Sequence, residues 1–414
     1  PDRFWCLPLV LWRWHRLGTH VAAIAASHRP EDPRLSGIAP GAQVVSLKIG
    51  DARFGSAETG QALARAFAQV ARAAAEGATG DGEKWDVVNL SYGDAVGVPN
   101  SGRLVELATS LVRDHGVVFV SSAGNSGPAL SSVTAPGSTS PALIGVGAYL
   151  SKPMKEALYS MSPESMGPLT GQAYTFSSRG PCPDGHLGVS LAAPGGALAS
   201  VPGWCGAAEQ VMHGTSMASP NAAGGIACLV SGLKQTGAPY SPWSLRRALE
   251  ATAAHPHAES GAVASGAESF LSLGHGLVQL SGAFDAARAA PPELVPVDFK
   301  VEVSPDLGGG PGLYLRDPAS TRQARVVQVT VTPIFPKGST PQAGVDFGTR
   351  KLRLEASTGA ESTRAESTRG WLSVGRHLAL PAKGRSFAVS VDPSGLGPGA
   401  HLGHVAAYLD EDEA

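Results

Sequence analysis

The chain has 414 residues, room for about two or three domains, and its 43% hydrophobic and 16% charged content describes a globular protein rather than a disordered one. A formal net charge of -2 leaves no electrostatic footprint for nucleic acid or an anionic membrane. Cys6, Cys182, Cys205 and Cys228 are scattered without a Cys-x-x-Cys pair, which suits free thiols in a reducing compartment.

The apolar stretch from Phe4 to Trp12 is interrupted by Pro8 and ends at Arg13 with no small-residue cleavage site. It is shorter than the roughly 18 apolar residues of a membrane span and does not read as a signal peptide. Residues 1–17 are expected to be irregular, the remnant of a truncated or mis-assembled N-terminus. From there, β-type runs alternate with Ala-rich helical segments. Residues 44–49 predict a strand, 61–76 a helix, 86–91 a strand and 104–115 a helix. Val117-Val118-Phe119-Val120 is apolar on both faces, as a central parallel strand should be. Residues 142–148 repeat that pattern. Ser241 reads as an N-cap with Pro242 at the first helical position. This alternation predicts an α/β fold, a doubly wound parallel sheet over residues 18–290, with its site beyond the carboxyl ends of the strands.

Past Ala290-Pro291-Pro292 the composition changes. Alternating runs such as Val326 to Val331 and Ser386 to Val391 predict an all-β accessory domain over 291–414, a sandwich whose last strands are expected to be incomplete before the acidic tail 410–413. Two copies of Ala-Glu-Ser-Thr-Arg, at 360–364 and 365–369, form a local duplication and imply no repeat architecture.

Three segments carry the chemistry, in the order His, Asn, Ser. They are Gly18-Thr19-His20-Val21-Ala22-Ala23, then Ser121-Ser122-Ala123-Gly124-Asn125-Ser126-Gly127, then His213-Gly214-Thr215-Ser216-Met217-Ala218-Ser219-Pro220. A Ser hydroxyl is a weak nucleophile and needs an imidazole to take its proton. At a helix N-terminus Ser216 gains from the dipole, and its own N–H can help hold an oxyanion. Asn125, on a turn flanked by Gly124 and Gly127, can offer its amide as the second donor. A lone His beside Gly and Thr is usually structural and an Asn in a Gly-rich loop is usually a turn former. The eight-residue Ser motif is much harder to obtain by accident.

These three motifs resemble those of the subtilisin-like serine peptidases, with His20 matching the general base, Asn125 the oxyanion hole and Ser216 the nucleophile. Longer stretches, among them 37–43, 89–93, 99–103, 177–181, 193–197, 314–318 and 391–396, resemble the tripeptidyl peptidase II family within that group. That resemblance covers about residues 18–409, including the β domain. It implies a cytoplasmic serine exopeptidase that removes tripeptides from free peptide N-termini and that assembles, at full length, into a large homo-oligomer. It implies that substrate lies along Ser91-Tyr92-Gly93 and that Glu58 and Asp94 bind its ammonium group, fixing the distance to Ser216. Asp94 departs from the family's usual Glu and shortens the reach by one methylene. Two further departures concern the triad. Leu17 stands where a His commonly opens the His-Gly-Thr-His motif. Only Asp2 precedes His20, and it lacks the glycine of the family's Asp-x-Gly strand end, so it does not qualify as the orienting carboxylate.

His255, His257 and His275 have no metal-ligand spacing, Gly308-Gly309-Gly310 lacks the Lys of a phosphate loop, and no metal or cofactor is expected. Two alternatives remain open: a general subtilisin-like endopeptidase, and a catalytically impaired chain that binds peptides.

Overall fold

The computed structural model describes residues 8–13, 15–51, 57–76, 85–257, 266–337, 339–358 and 370–410. Asp2, the Ala-Glu-Ser-Thr-Arg duplication and the end of the acidic tail lie outside the described residues.

In chain order the first layer begins with β1 (Pro8–Arg13), α1 (His15–Ala26), β2 (Gln43–Lys48), β3 (Gly50–Asp51) and β4 (Ala57–Glu58). Then follow α2 (Gly60–Glu76), β5 (Val87–Leu90), α3 (Arg103–Arg113), β6 (Val118–Ser122), β7 (Ile144–Ser151), α4 (Lys152–Tyr159) and β8 (Gly171–Ala173). β9 (Leu191–Pro194), β10 (Gly196–Ser200) and β11 (Glu209–His213) lead into α5 (Thr215–Thr236), after which come α6 (Pro242–Thr252), α7 (Ala267–Leu273) and α8 (Leu280–Ala289).

Over residues 8–13 the expectation of an irregular segment is corrected by β1. Its backbone pairs in parallel with β2 on one edge and β5 on the other, with Leu9 opposite both Val44 and Val87. Backbone pairing on both edges carries this strand, and Pro8 occupies its first position, where a missing N–H is tolerated.

The main sheet has the order β2-β1-β5-β6-β7-β8, with β9 beside β7. Only β8 runs antiparallel. One face is covered by α1, α5, α6 and α8 over a core that includes Val21, Met217, Ile226 and Leu233. The other is covered by α2 and α3, where Phe67 meets Phe119 edge-on at 5.7 Å. The small residues of α5 matter here. A Cβ on Gly224 would lie 2.8 Å from Ile38 Cβ and 3.0 Å from the Ala25 carbonyl, so glycine lets the first helical layer close onto α5. β5 and β6 point their carboxyl ends at the N-terminus of α5, and the site forms there, as the strand–helix pattern predicts.

The second domain consists of β12 (Asp298–Val303), β13 (Arg325–Ile334), α9 (Pro341–Phe347), β14 (Thr349–Thr358), β15 (Leu372–Val374), β16 (His377–Pro381), β17 (Arg385–Val391) and β18 (Gly403–Leu409). Two antiparallel sheets, β12-β13-β17-β15 and β16-β14-β18, enclose cores around Val327 and Val389 and around Phe347 and Leu380. Arg247 of α6 ties this domain to the first, donating to the carbonyls of Val297 and Leu294 at 2.7 Å each.

Candidate active site

Asn89 is the hidden post of the site. It sits in the apolar strand Val87-Val88-Asn89-Leu90 and is fully buried. Its amide donates to Ser91 Oγ at 3.1 Å, and its carbonyl oxygen accepts from Ser219 Oγ at 2.5 Å. Ser91 Oγ in turn donates to the carbonyl of Ser216 at 2.9 Å, and Ser216 Oγ donates to the carbonyl of Ser91 at 3.4 Å. Three of these four hydrogen bonds bolt the start of α5 to the end of β5, and Ser216 is held against the Ser91-Tyr92-Gly93 edge. Sequence reasoning did not single out Asn89 or Ser219. The available signal was an amide inside a four-residue strand otherwise made of Val and Leu, which must be satisfied internally because the strand is buried.

Asn125 follows β6. Its side-chain oxygen accepts from the Thr215 N–H and the Thr215 hydroxyl, both at 2.9 Å, while the Gly124 N–H donates to Thr215 Oγ1 at 3.2 Å. With the carboxamide oxygen committed to Thr215, the amide N–H₂ is left to serve an acceptor beside Gly214 and Ser216. That is the orientation an oxyanion donor needs. Gly124 has φ +111°, and a Cβ there would lie 2.7 Å from Ser178 Oγ and 2.8 Å from Thr134 Cγ2. Gly93 is tighter: a Cβ would lie 2.4 Å from Thr134 Oγ1. Thr134 thus buttresses both glycines, and Asp94 and Ala135 exchange backbone hydrogen bonds at 3.1 and 2.8 Å beside it.

Glu58, on β4, and Asp94 are electrostatic neighbours. Partial burial raises the Glu58 carboxyl above its ordinary value, and the Asp94 charge adds to that shift. The Tyr92 hydroxyl donates to Asp94 Oδ2, and burial together with Asp94 and Glu58 pushes its ionisation above the usual range. Among the described residues neither acid has an ion-pair partner, so the pair is a place where a cation would be welcome.

His20 lies on α1 with its ring fully buried, and Nε2 is 2.9 Å from the carbonyl of Gln210 on β11. Nδ1 is buried and has no partner among the described residues. Among the described residues no hydrogen bond joins His20 to Ser216, and a carbonyl of β11 satisfies Nε2 of the ring. Burial lowers its pKa, with the Gln210 and Ala197 carbonyls pulling the other way. Leu17, one turn earlier, packs against the same core.

Ser216, the Asn125 amide and the Ser91-Tyr92-Gly93 edge thus converge on the N-terminus of α5, between the carboxyl ends of β5 and β6. A sequence-family profile described as "Subtilase family" matches residues 11–276. The chain belongs to the subtilase family. A second profile, "Tripeptidyl-peptidase II, first Ig-like domain", matches residues 297–413 of this subtilase chain, which covers the two-sheet domain. "Tripeptidyl-peptidase 2" of Arabidopsis thaliana is 43% identical over 386 residues, 93% of this chain and 26% of its own length. The protein of the same name from Oryza sativa subsp. japonica is 39% identical over 388 residues, 92% of this chain and 26% of its own. A crystal structure of tripeptidyl peptidase 2 (TPP II) superposes with a TM-score of 0.74 at 36% identity, covering 95% of this chain and 28% of that one. The chain therefore spans 26% of the length of these two curated relatives.

Proposed function

We propose that this chain is the catalytic part of a serine exopeptidase that releases tripeptides from free peptide N-termini by acyl transfer. Ser216 attacks the third peptide bond, His20 as general base takes its proton and returns it to the leaving amine, Asn125 and the Ser216 N–H receive the oxyanion, and Glu58 with Asp94 hold the substrate's ammonium group. The observation that carries this reading is the placement of the two acids. They are near enough for the Asp94 charge to raise the Glu58 carboxyl, and Asp94 directly follows the strand edge against which Ser216 is fixed. An extended chain anchored there by its amine runs along Ser91-Tyr92-Gly93 toward Ser216, and three residues span about 10 Å. The likeness to the two tripeptidyl-peptidase 2 proteins supports the same reading. The family resemblance also supports a cytoplasmic setting and assembly of the full-length protein into a large homo-oligomer; among the described residues no helix is long and apolar enough to cross a membrane.

A second reading, that this chain binds peptides and turns them over poorly, is favoured by one observation: the Ser216 hydroxyl is spent on the Ser91 carbonyl and His20 on Gln210. Mass spectrometry of a free-amine octapeptide after incubation separates the two. Successive loss of three-residue units supports the exopeptidase. Internal cuts at other spacings contradict it, and an intact peptide that nevertheless binds supports the second reading.

A further inference from the structure

The cores of the two domains do not quite meet. Trp243, at the start of α6, is 8% exposed and belongs to the same buried cluster as Phe67 and Phe119. Phe335, just past β13, packs on the second domain's core and meets Phe347 edge-on at 5.6 Å. Between Trp243 and Phe335 lies a cavity of about 270 Å³. Its apolar walls include Ile334 and Pro296, and its polar side carries Arg113 from the end of α3 and Asp298 from the start of β12. These two charges face each other loosely. Arg113 Nη2 is 3.9 Å from Asp298 Oδ2, beyond hydrogen-bond reach, and the guanidinium has no nearer partner among the described residues. Asp298 Oδ1 accepts from the Phe299 N–H at 2.8 Å, while Oδ2 accepts no hydrogen bond among the described residues. Burial raises the Asp298 carboxyl above its ordinary value, against the pull of that N–H and of the Arg113, Arg246 and Arg247 charges.

This cavity is separate from the candidate active site. The chain passes from the end of α3 directly into β6, so the cavity sits at the amino end of that strand, whereas Asn125 follows its carboxyl end. About 13 Å of strand lies between them.

We propose that the cavity binds a free amino acid with an apolar side chain, its carboxylate on Arg113, its ammonium on Asp298 and its side chain between Trp243 and Phe335. Charge and size together argue for this occupant. A zwitterion brings an opposite charge to each member of the separated pair. Its two charged groups sit on one carbon, which suits partners only 3.9 Å apart. A ligand of one sign satisfies one partner and is repelled by the other. The volume falls just below the roughly 300–1,000 Å³ of drug-sized ligand sites, so it suits a single residue and not a peptide chain. Its setting fits as well, since apolar pockets with a few convergent polar groups occur preferentially at domain junctions. Both domains supply walls, so occupancy favours their docked arrangement.

Calorimetric titration of the whole chain with L-phenylalanine tests this against two blocked analogues. L-phenylalanine amide lacks the carboxylate, and N-acetyl-L-phenylalanine lacks the ammonium. The free amino acid should bind with a dissociation constant on the order of 0.1–1 mM and raise the melting temperature. Each analogue should bind about tenfold more weakly, and Arg113→Gln or Asp298→Asn should weaken phenylalanine to the same degree. The Arg113 side chain is 48% exposed at a helix end, so Arg113→Gln keeps the test available if Asp298→Asn does not fold, as circular dichroism would report. Glu58→Gln controls for a free amine held by the proposed substrate acids. If Glu58→Gln abolishes phenylalanine binding and Arg113→Gln does not, the ligand sits with those acids and the proposal is overturned. Equal affinity for phenylalanine and both analogues overturns it too, as does the absence of both heat and a melting shift up to about 10 mM.

Discussion

Replacing Asn89 with Val tests how the nucleophile is held. The substitution introduces a β-branched apolar residue into a strand that favours it, but deletes the donor to Ser91 and the acceptor of Ser219. Two hydrogen bonds are lost, each worth about 1 kcal/mol net. The Ser219 hydroxyl, on a residue with no exposed surface, is left unpaired, at a further cost of about 1–3 kcal/mol. The sum is a destabilisation of about 3–5 kcal/mol, or about 6–20 °C in the melting temperature of a domain of this size. The asymmetry is more telling than the magnitude. In the double variant Asn89→Val/Ser219→Ala no buried hydroxyl is stranded, so about 1–3 kcal/mol should return. Urea unfolding followed by tryptophan fluorescence reads both. A single variant within about 0.5 kcal/mol of the parent, or a double variant no better than the single, would refute this account of the bolt.

Gly124→Ala should destabilise the protein by about 1–3 kcal/mol and weaken peptide binding, because it places a Cβ against Ser178 and Thr134 at φ +111°; wild-type unfolding of that variant would contradict the packing described. Binding of a free-amine peptide should fall as pH drops through the raised Glu58 pKa, since only the carboxylate attracts the ammonium. In the folded protein Glu58 holds its proton to higher pH than in the unfolded chain, so acidification over that window stabilises the fold while it weakens binding. Affinity measured from pH 4 to 8 should show this loss in the parent and a flatter profile in Glu58→Gln.

The doubly wound sheet and the β-rich domain after it were legible because each rests on local pattern: apolar strands and a Pro-Pro boundary. β1 was not. Its run is short, interrupted by Pro8, and its role as a central strand depends on partners at 43–48 and 87–90 that local sequence does not reveal. The surroundings of His20 were hidden for a related reason. A histidine near a Gly-Thr pair matches a motif, but which way its ring points depends on the turn of α1 and on a carbonyl 190 residues away. Asn89 was overlooked because strands were judged by their apolar residues, whereas the exception was the informative one.

The central claim is that Glu58 and Asp94 anchor a substrate's free amine at a fixed distance from Ser216. Calorimetric titration of the Ser216→Ala protein with one hexapeptide, unmodified and N-acetylated, tests it without requiring turnover. The unmodified peptide should bind about ten- to a hundredfold more tightly, the worth of a charge-assisted hydrogen bond of about 1.5–3 kcal/mol, and Glu58→Gln should remove most of the difference. Equal affinities for the two peptides would contradict the account.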